Sequence, residues 1–162
     1  LHRPHSFLGE DQIEQARPVT VTVPEMTRFL LTLDQSVGLV LHAMTHARGG
    51  EIFVRKAPAC TAQALAEAMV LKYSSLGARH PIEVIGIRPG EKIHEILVNE
   101  YEMRRSVEGR EFFAIHPEYR LPAHAAGRAL GDEYTSANTR QLTTPEEIGR
   151  LLDAMGQVEY YM

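Results

Sequence analysis

Residues 85–98 read IGIRPGEKIHEILV, and they set an apolar strand against a dense run of charge. The run Ile82 to Ile87 is strand-like and stops at Arg88. Pro89-Gly90 predicts a tight turn, after which Glu91, Lys92, His94 and Glu95 crowd together. A turn at the C-terminal end of a buried strand is where open α/β sheets place ligands. This one would hold a cation and a carboxylate on rigid backbone; the cation suits a phosphate and the carboxylate suits sugar hydroxyls. A surface turn closed by an ion pair fits the same letters, so the residues alone leave both readings open.

Working outward, segments of both periods alternate. VTVTV, residues 19–23, is β-branched and alternating, which predicts a strand. Residues 6–16 predict a short helix, with Ser6 as cap and Leu8 and Ile13 turned inward. Arg28 to Leu31 reads as a short extended piece. From Asp34 the period is helical, with Val37, Val40, Leu41 and Met44 on one face and Gly49-Gly50 as the stop. Glu51 to Lys56 reads as a strand, and Thr61 caps a helix with Leu65, Met69 and Tyr73 inward. Residues 92–98 and 100–106 read as short helices, 111–115 (EFFAI) as a strand, and the Pro-, Gly- and Ala-rich 117–133 as a long loop. Thr144, Pro145 and Glu147 form a capping-box start, followed by Ile148, Leu151, Leu152 and Met155 at helical spacing. Strands alternating with helices imply an α/β or α+β layer structure.

Composition narrows the function classes. The 162 residues suffice for one domain with a core, and 23% charged with 44% hydrophobic residues describes a globular chain. A net charge of −4 argues against a nucleic-acid footprint. No run approaches the roughly 18 apolar residues of a membrane span. The start, LHRPHSFLGEDQ, lacks a signal-peptide core and begins on Leu1, which fits a trimmed chain or a fragment. The single cysteine, Cys60, excludes an internal disulfide and fits a reducing cytoplasm; with no basic neighbour it reads as structural.

Several side-chain patterns invite chemistry. His42 and His46 have the i, i+4 spacing of some zinc ligands, but they project opposite the apolar helix face and lack an intervening HExxH glutamate. A solvated helix face is the expectation, with no metal site. Met26-Thr27-Arg28-Phe29 either starts a strand with one exposed arginine or holds a guanidinium between apolar anchors to meet an anion bidentately. The chain contains no GxGxxG or GxxGxxG phosphate loop, no tyrosine with lysine at the fourth position, and no GxSxG elbow. No catalytic residue is therefore assigned.

RPVTVTVPEMTRF (17–29), GGEIFV (49–54), GIRPGEKIHEILV (86–98) and EYTSANTRQL (133–142) come in a familiar order. With these motifs the chain resembles, over nearly all of 7–155, the C-terminal part of the capsular-polysaccharide UDP-sugar epimerases and 4,6-dehydratases, which are extended short-chain dehydrogenases/reductases. The resemblance implies the substrate-binding lobe of such a Rossmann enzyme, α/β in class and α+β in isolation, with the N-terminal Rossmann half missing. It implies a UDP-sugar-binding lobe over 1–116, a loop over 117–133, and a capsular-type extension over 134–162. By motif, Arg28 and Arg88 look like diphosphate contacts and Glu91 like the acceptor for the ribose hydroxyls. Thr27 goes with Arg28, and Val21, in the VTV strand, looks like part of the wall beside the uracil. His94 and Glu95 match the motif, either as packing and capping residues of the site or as ligand contacts. Position 23 is Val, where the family usually has an acidic or polar residue.

The resemblance also sets expectations about function. The substrate would be UDP-N-acetylglucosamine or a related UDP-hexose, in surface-polysaccharide biosynthesis in the cytoplasm. The cofactor would be NAD(P), although this chain carries no loop for it, and the chain alone would lack turnover. A non-catalytic module that binds nucleotide-sugars or proteins, and a truncated gene product, are the competing readings. The partners expected are a UDP-sugar and either a second copy or the missing Rossmann half, with no nucleic acid and no membrane. Leu8, Ile13, Phe29 and Leu30 are the expected contact surface.

Overall fold

The structure is a computed structural model, and it describes residues 8–120 and 133–156. Ser6 and most of the 117–133 segment lie outside the described residues.

Two small cores organise the chain. The larger is built by three helices, α1 (Leu8–Glu14), α3 (Ala62–Tyr73) and α5 (Pro145–Gly156), against two strands, β1 (Val19–Val21) and β4 (Ala59–Thr61). Ile13, Val19, Val21, Leu30, Cys60, Met69, Ile148 and Leu152 meet there. The Thr61 hydroxyl accepts from Ala64 N at 3.1 Å and starts α3 as the capping signal predicts. The Thr144 hydroxyl does the same for Glu147 N at 3.3 Å. In α5, Ile148 and Leu152 are fully buried, so the i, i+4 apolar stripe faces the core. β1 pairs in parallel with β5 (Ile82–Val84), Val21 opposite Val84, and β2 (Thr27–Phe29) pairs antiparallel with β4.

The second core is a three-stranded antiparallel sheet, β3 (Ile52–Arg55), β8 (Phe112–Ile115) and β7 (Ser106–Glu108), in the order β3-β8-β7. Val98, Phe113, Ile115 and Tyr134 pack together there, with Phe29, Val54 and Met103 against them. Two elements complete it, α4 (Glu100–Arg104) and the pair of β6 (Ile96–Val98) with β9 (Tyr134–Thr135). The Asn99 side chain caps α4, accepting from Glu102 N at 2.9 Å.

Four sequence expectations need correction. Residues 92–98 form no helix; Ile96–Val98 is a strand, because its pairing with Tyr134–Thr135 and the full burial of Val98 decide the conformation. On α3 the buried residues are Ala66, Ala68, Met69 and Val70, and Tyr73 is half-exposed: α1 and α5 both pack on this helix and cover a broad face of small side chains.

The third correction concerns α2 (Leu33–His46). Its apolar face points outward: Leu33, Val37, Val40, Leu41 and Met44 are all exposed, Met44 by 77%. Its histidine side is the one against the sheet. The His42 ring stacks on Phe112 with centroids 4.4 Å apart, meets Phe53 edge-on at 5.3 Å, and stacks on His46 at 4.1 Å. A flat imidazole lies on an aromatic face as readily as another ring does, so His42 is a packing residue here and not part of a solvated face. The fourth follows from the third. Ile13 and Leu30 are buried in the core and Phe29 packs on Tyr134 at 5.3 Å, so these positions offer no exposed apolar surface, whereas α2 presents an apolar face; the Leu8 side chain lies outside the described residues.

Candidate functional site

β2 positions the first functional segment. Its register places Arg28 opposite Cys60 and Thr27 opposite Thr61 on β4. Thr27 N donates to Ile93 O at 2.9 Å, so the end of β2 is stitched to the charged segment that follows the Pro-Gly turn. The Arg28 guanidinium lies along this seam. Its Nη1 donates to Thr27 O at 2.7 Å and to Ile93 O at 3.4 Å, its Nη2 contacts Met26 Sδ at 2.6 Å, and its Nε lies 3.5 Å from Glu95 Oε1. The pair is about one-third to one-half exposed, where an ion pair adds little stability but a guanidinium can still reach an incoming anion.

Behind the arginine is a hydroxyl cluster. Thr27 Oγ1 is 2.8 Å from His94 Nδ1 and 2.6 Å from Ser136 Oγ. Ser136 Oγ accepts from Glu95 N at 2.8 Å and donates to Thr27 O at 3.1 Å. Thr27, Arg28, His94 and Glu95 are thus brought together. Ser136 joins them, and its motif gave no reason to choose it over its neighbours. What could have singled it out is a small hydroxyl between a β-branched strand residue and a turn, the type that bonds backbone when buried.

Arg88 and Glu91 stand on the turn itself. Glu91 N donates to Arg88 O at 3.1 Å, and Gly90, the third residue of the turn, has φ +88°. That is a type II turn, which needs a residue tolerant of positive φ at this place. One carboxylate oxygen of Glu91 accepts from Arg88 N at 3.0 Å and braces the turn. The Arg88 side chain is exposed and has no ion pair among the described residues. The buried strand expected over 82–87 is not found: β5 ends at Val84, and Val84, Ile85 and Ile87 are exposed, so Arg88 stands beyond the paired strand. Ile85 N donates to Val21 O at 2.9 Å and links Val21 through backbone to the segment leading to the turn. The Val21 side chain is buried in the core.

Other candidates resolve simply. Burial pushes the Cys60 thiol up to about 11, which keeps it protonated and unreactive at neutral pH. Among the described residues no group of three or more His, Cys, Asp or Glu side chains could hold a metal ion. None of their helices is long and apolar enough to cross a membrane.

The fit to NAD(P) can be tested on the strand-to-helix crossings. β2 enters α2 through Leu30–Thr32, β4 enters α3 directly, and β6 enters α4 through Asn99. None is rich in glycine, whereas a dinucleotide diphosphate needs close backbone approach at such a crossing. The described residues do not fit the cofactor, and no chemical step is routed through it.

The chain as a whole is similar to known proteins. The family described as "Polysaccharide biosynthesis protein" matches residues 7–117. The UDP-glucose 4-epimerase of Rickettsia canadensis (strain McKiel) is 40% identical over 156 residues, covering 92% of this chain and 45% of the relative. That of Rickettsia rickettsii (strain Sheila Smith) is 39% identical with the same coverage. Among solved structures, the X-ray structure of Pen from Bacillus thuringiensis superposes with a TM-score of 0.77 at 32% identity, over 93% of this chain and 46% of that one. The chain therefore spans about half the length of the curated relatives it matches, and its mixed helix and strand lobe is shared with the Pen structure. By sequence and fold alike, this chain belongs to the polysaccharide biosynthesis protein family, and it is similar to part of the UDP-glucose 4-epimerases.

Proposed function

We propose that the chain is the UDP-sugar-binding part of a nucleotide-sugar epimerase or dehydratase. The observation that carries this reading is the seam between β2 and residues 93–95. The guanidinium of Arg28 is hydrogen-bonded to Ile93 O, two residues beyond the turn that carries Arg88 and Glu91, and this short chain connection is what favours one binding edge for both cationic motifs. In this reading Arg28 and Arg88 meet the diphosphate and Glu91 accepts the ribose hydroxyls with the oxygen that does not brace the turn. Val21 and Thr27 support the wall and the seam from the buried side. The sugar is UDP-N-acetylglucosamine or a related UDP-hexose, destined for surface polysaccharide in the cytoplasm. The chain alone binds without turnover, because the hydride and proton chemistry needs NAD(P) and groups of a Rossmann half. The exposed face of α2 is the contact surface for that half or for a second copy. We take residues 134–156 as working with the 1–116 lobe, through β9 and α5.

Titration calorimetry with UDP and with pyrophosphate tests this. Arg88→Ala should weaken UDP by about 10- to 100-fold, the worth of one lost charge-assisted contact. Arg88→Lys should recover part of that, since an ammonium cannot copy the planar fork. Glu91→Gln should weaken UDP and leave pyrophosphate almost unchanged. If Arg88→Ala binds UDP like the wild type, the RPGE turn is a surface turn.

A further inference from the structure

We infer that Ser136 is a positioning residue that holds the Arg28 guanidinium in place, an inference resting on the reading that Arg28 meets the diphosphate. Two groups fix the guanidinium besides the Met26 sulfur and Ile93 O: the carbonyl of Thr27 under Nη1 and the carboxylate of Glu95 beside Nε. Both hang from Ser136. Its hydroxyl donates to Thr27 O at 3.1 Å, the same oxygen that receives Arg28 at 2.7 Å. Its hydroxyl also accepts from Glu95 N at 2.8 Å, and its own N–H donates back to Glu95 O at 2.8 Å. The residue that carries the Arg28 counter-charge is therefore clamped on both sides of its backbone by one serine.

The position is well suited to that task. Ser136 is fully buried, so water does not compete for its bonds. It follows directly on β9, whose pairing with β6 fixes its height against Glu95. It reaches Thr27 across 109 positions of sequence. The Thr27 hydroxyl closes the cluster, bonded at once to Ser136 and to His94. A guanidinium aimed in advance loses less freedom when an anion arrives, and affinity gained this way needs no contact between the serine and the ligand.

The test separates positioning from mere support of the fold. In the ligand-free chain, the Arg28 Nε–H signal in nitrogen-15 relaxation should be ordered in the wild type and mobile in Ser136→Ala. Tyr134→Phe, two residues away and bonded elsewhere, should leave it ordered. Ser136→Ala should weaken UDP about 10-fold in the wild-type background, roughly the worth of one misaligned charge-assisted contact. In an Arg28→Ala background it should weaken UDP less than about twofold, since there is no guanidinium left to position. Ser136→Cys, which keeps most of the volume and makes weaker hydrogen bonds, should be intermediate in both readouts and serves if Ser136→Ala does not fold. An equally ordered Arg28 in the serine variants, or an equal loss of UDP affinity in both backgrounds, overturns the inference. If Arg28→Ala alone leaves UDP binding unchanged, the diphosphate reading fails, while the relaxation measurement still decides whether Ser136 holds Arg28.

Discussion

Tyr134→Phe should destabilise the chain by about 2 kcal/mol without touching the site. The Tyr134 hydroxyl accepts from the Ala57 amide at 2.9 Å, and Ala57 is buried. It also donates to Ala57 O at 3.0 Å and lies 3.0 Å from Thr139 Oγ1. Removing the oxygen costs these groups unequally. Ala57 O keeps a donor, because Thr139 Oγ1 reaches it at 2.7 Å. Ala57 N–H is left as a buried donor without a partner, and that desolvation costs about 1–3 kcal/mol. The ring contacts to Phe29 at 5.3 Å and Phe113 at 5.0 Å survive, so no apolar packing is lost. For a chain of this length the loss corresponds to a fall in melting temperature of roughly 4–8 °C. Urea unfolding followed by circular dichroism measures it, with UDP affinity as the companion readout. A loss under about 0.5 kcal/mol would show that the hydroxyl network does not tie the 134–142 segment to the lobe.

Two further outcomes follow. Because burial lifts the Cys60 thiol to about 11, the folded chain keeps a proton that the unfolded chain releases above about 8.5. Stability should therefore fall by roughly 3 kcal/mol as pH climbs from 8.5 to 11. Cys60→Ala should show a shallower alkaline decline in urea midpoints, and an identical slope in both proteins would contradict the burial argument. On α2, Val40→Glu with Met44→Glu should leave the melting temperature nearly unchanged, since both side chains are exposed, while lowering the apparent mass in light scattering of concentrated protein. Unfolding of the double variant, or a wild type that scatters as a clean single chain, would remove α2 as a contact surface.

Local signals carried some elements and could not carry others. β1 and α5 are legible because each is set by its own letters, β-branched alternation in one and a capped i, i+4 stripe in the other. Residues 96–98 are misread as helix because their strand partner, Tyr134–Thr135, is far away in sequence and no local pattern announces it. On α2 the pattern correctly names which side chains share a face, yet it cannot say what covers that face; here the histidine side packs and the valine side does not. The site divides in the same way. The Pro-Gly turn with Arg88 and Glu91 is local chemistry and forms as read. The link from Arg28 to Ile93 and Glu95, and from both to Ser136, is tertiary, and only the fold brings those three motifs into one cluster.

The measurement that bears most directly on the account is a crystal structure of this chain with UDP. The account predicts the diphosphate within about 3 Å of both guanidinium groups, Arg28 and Arg88, with a Glu91 oxygen against the ribose hydroxyls. UDP bound elsewhere, with the RPGE turn and Arg28 facing only solvent and their own chain, would contradict it.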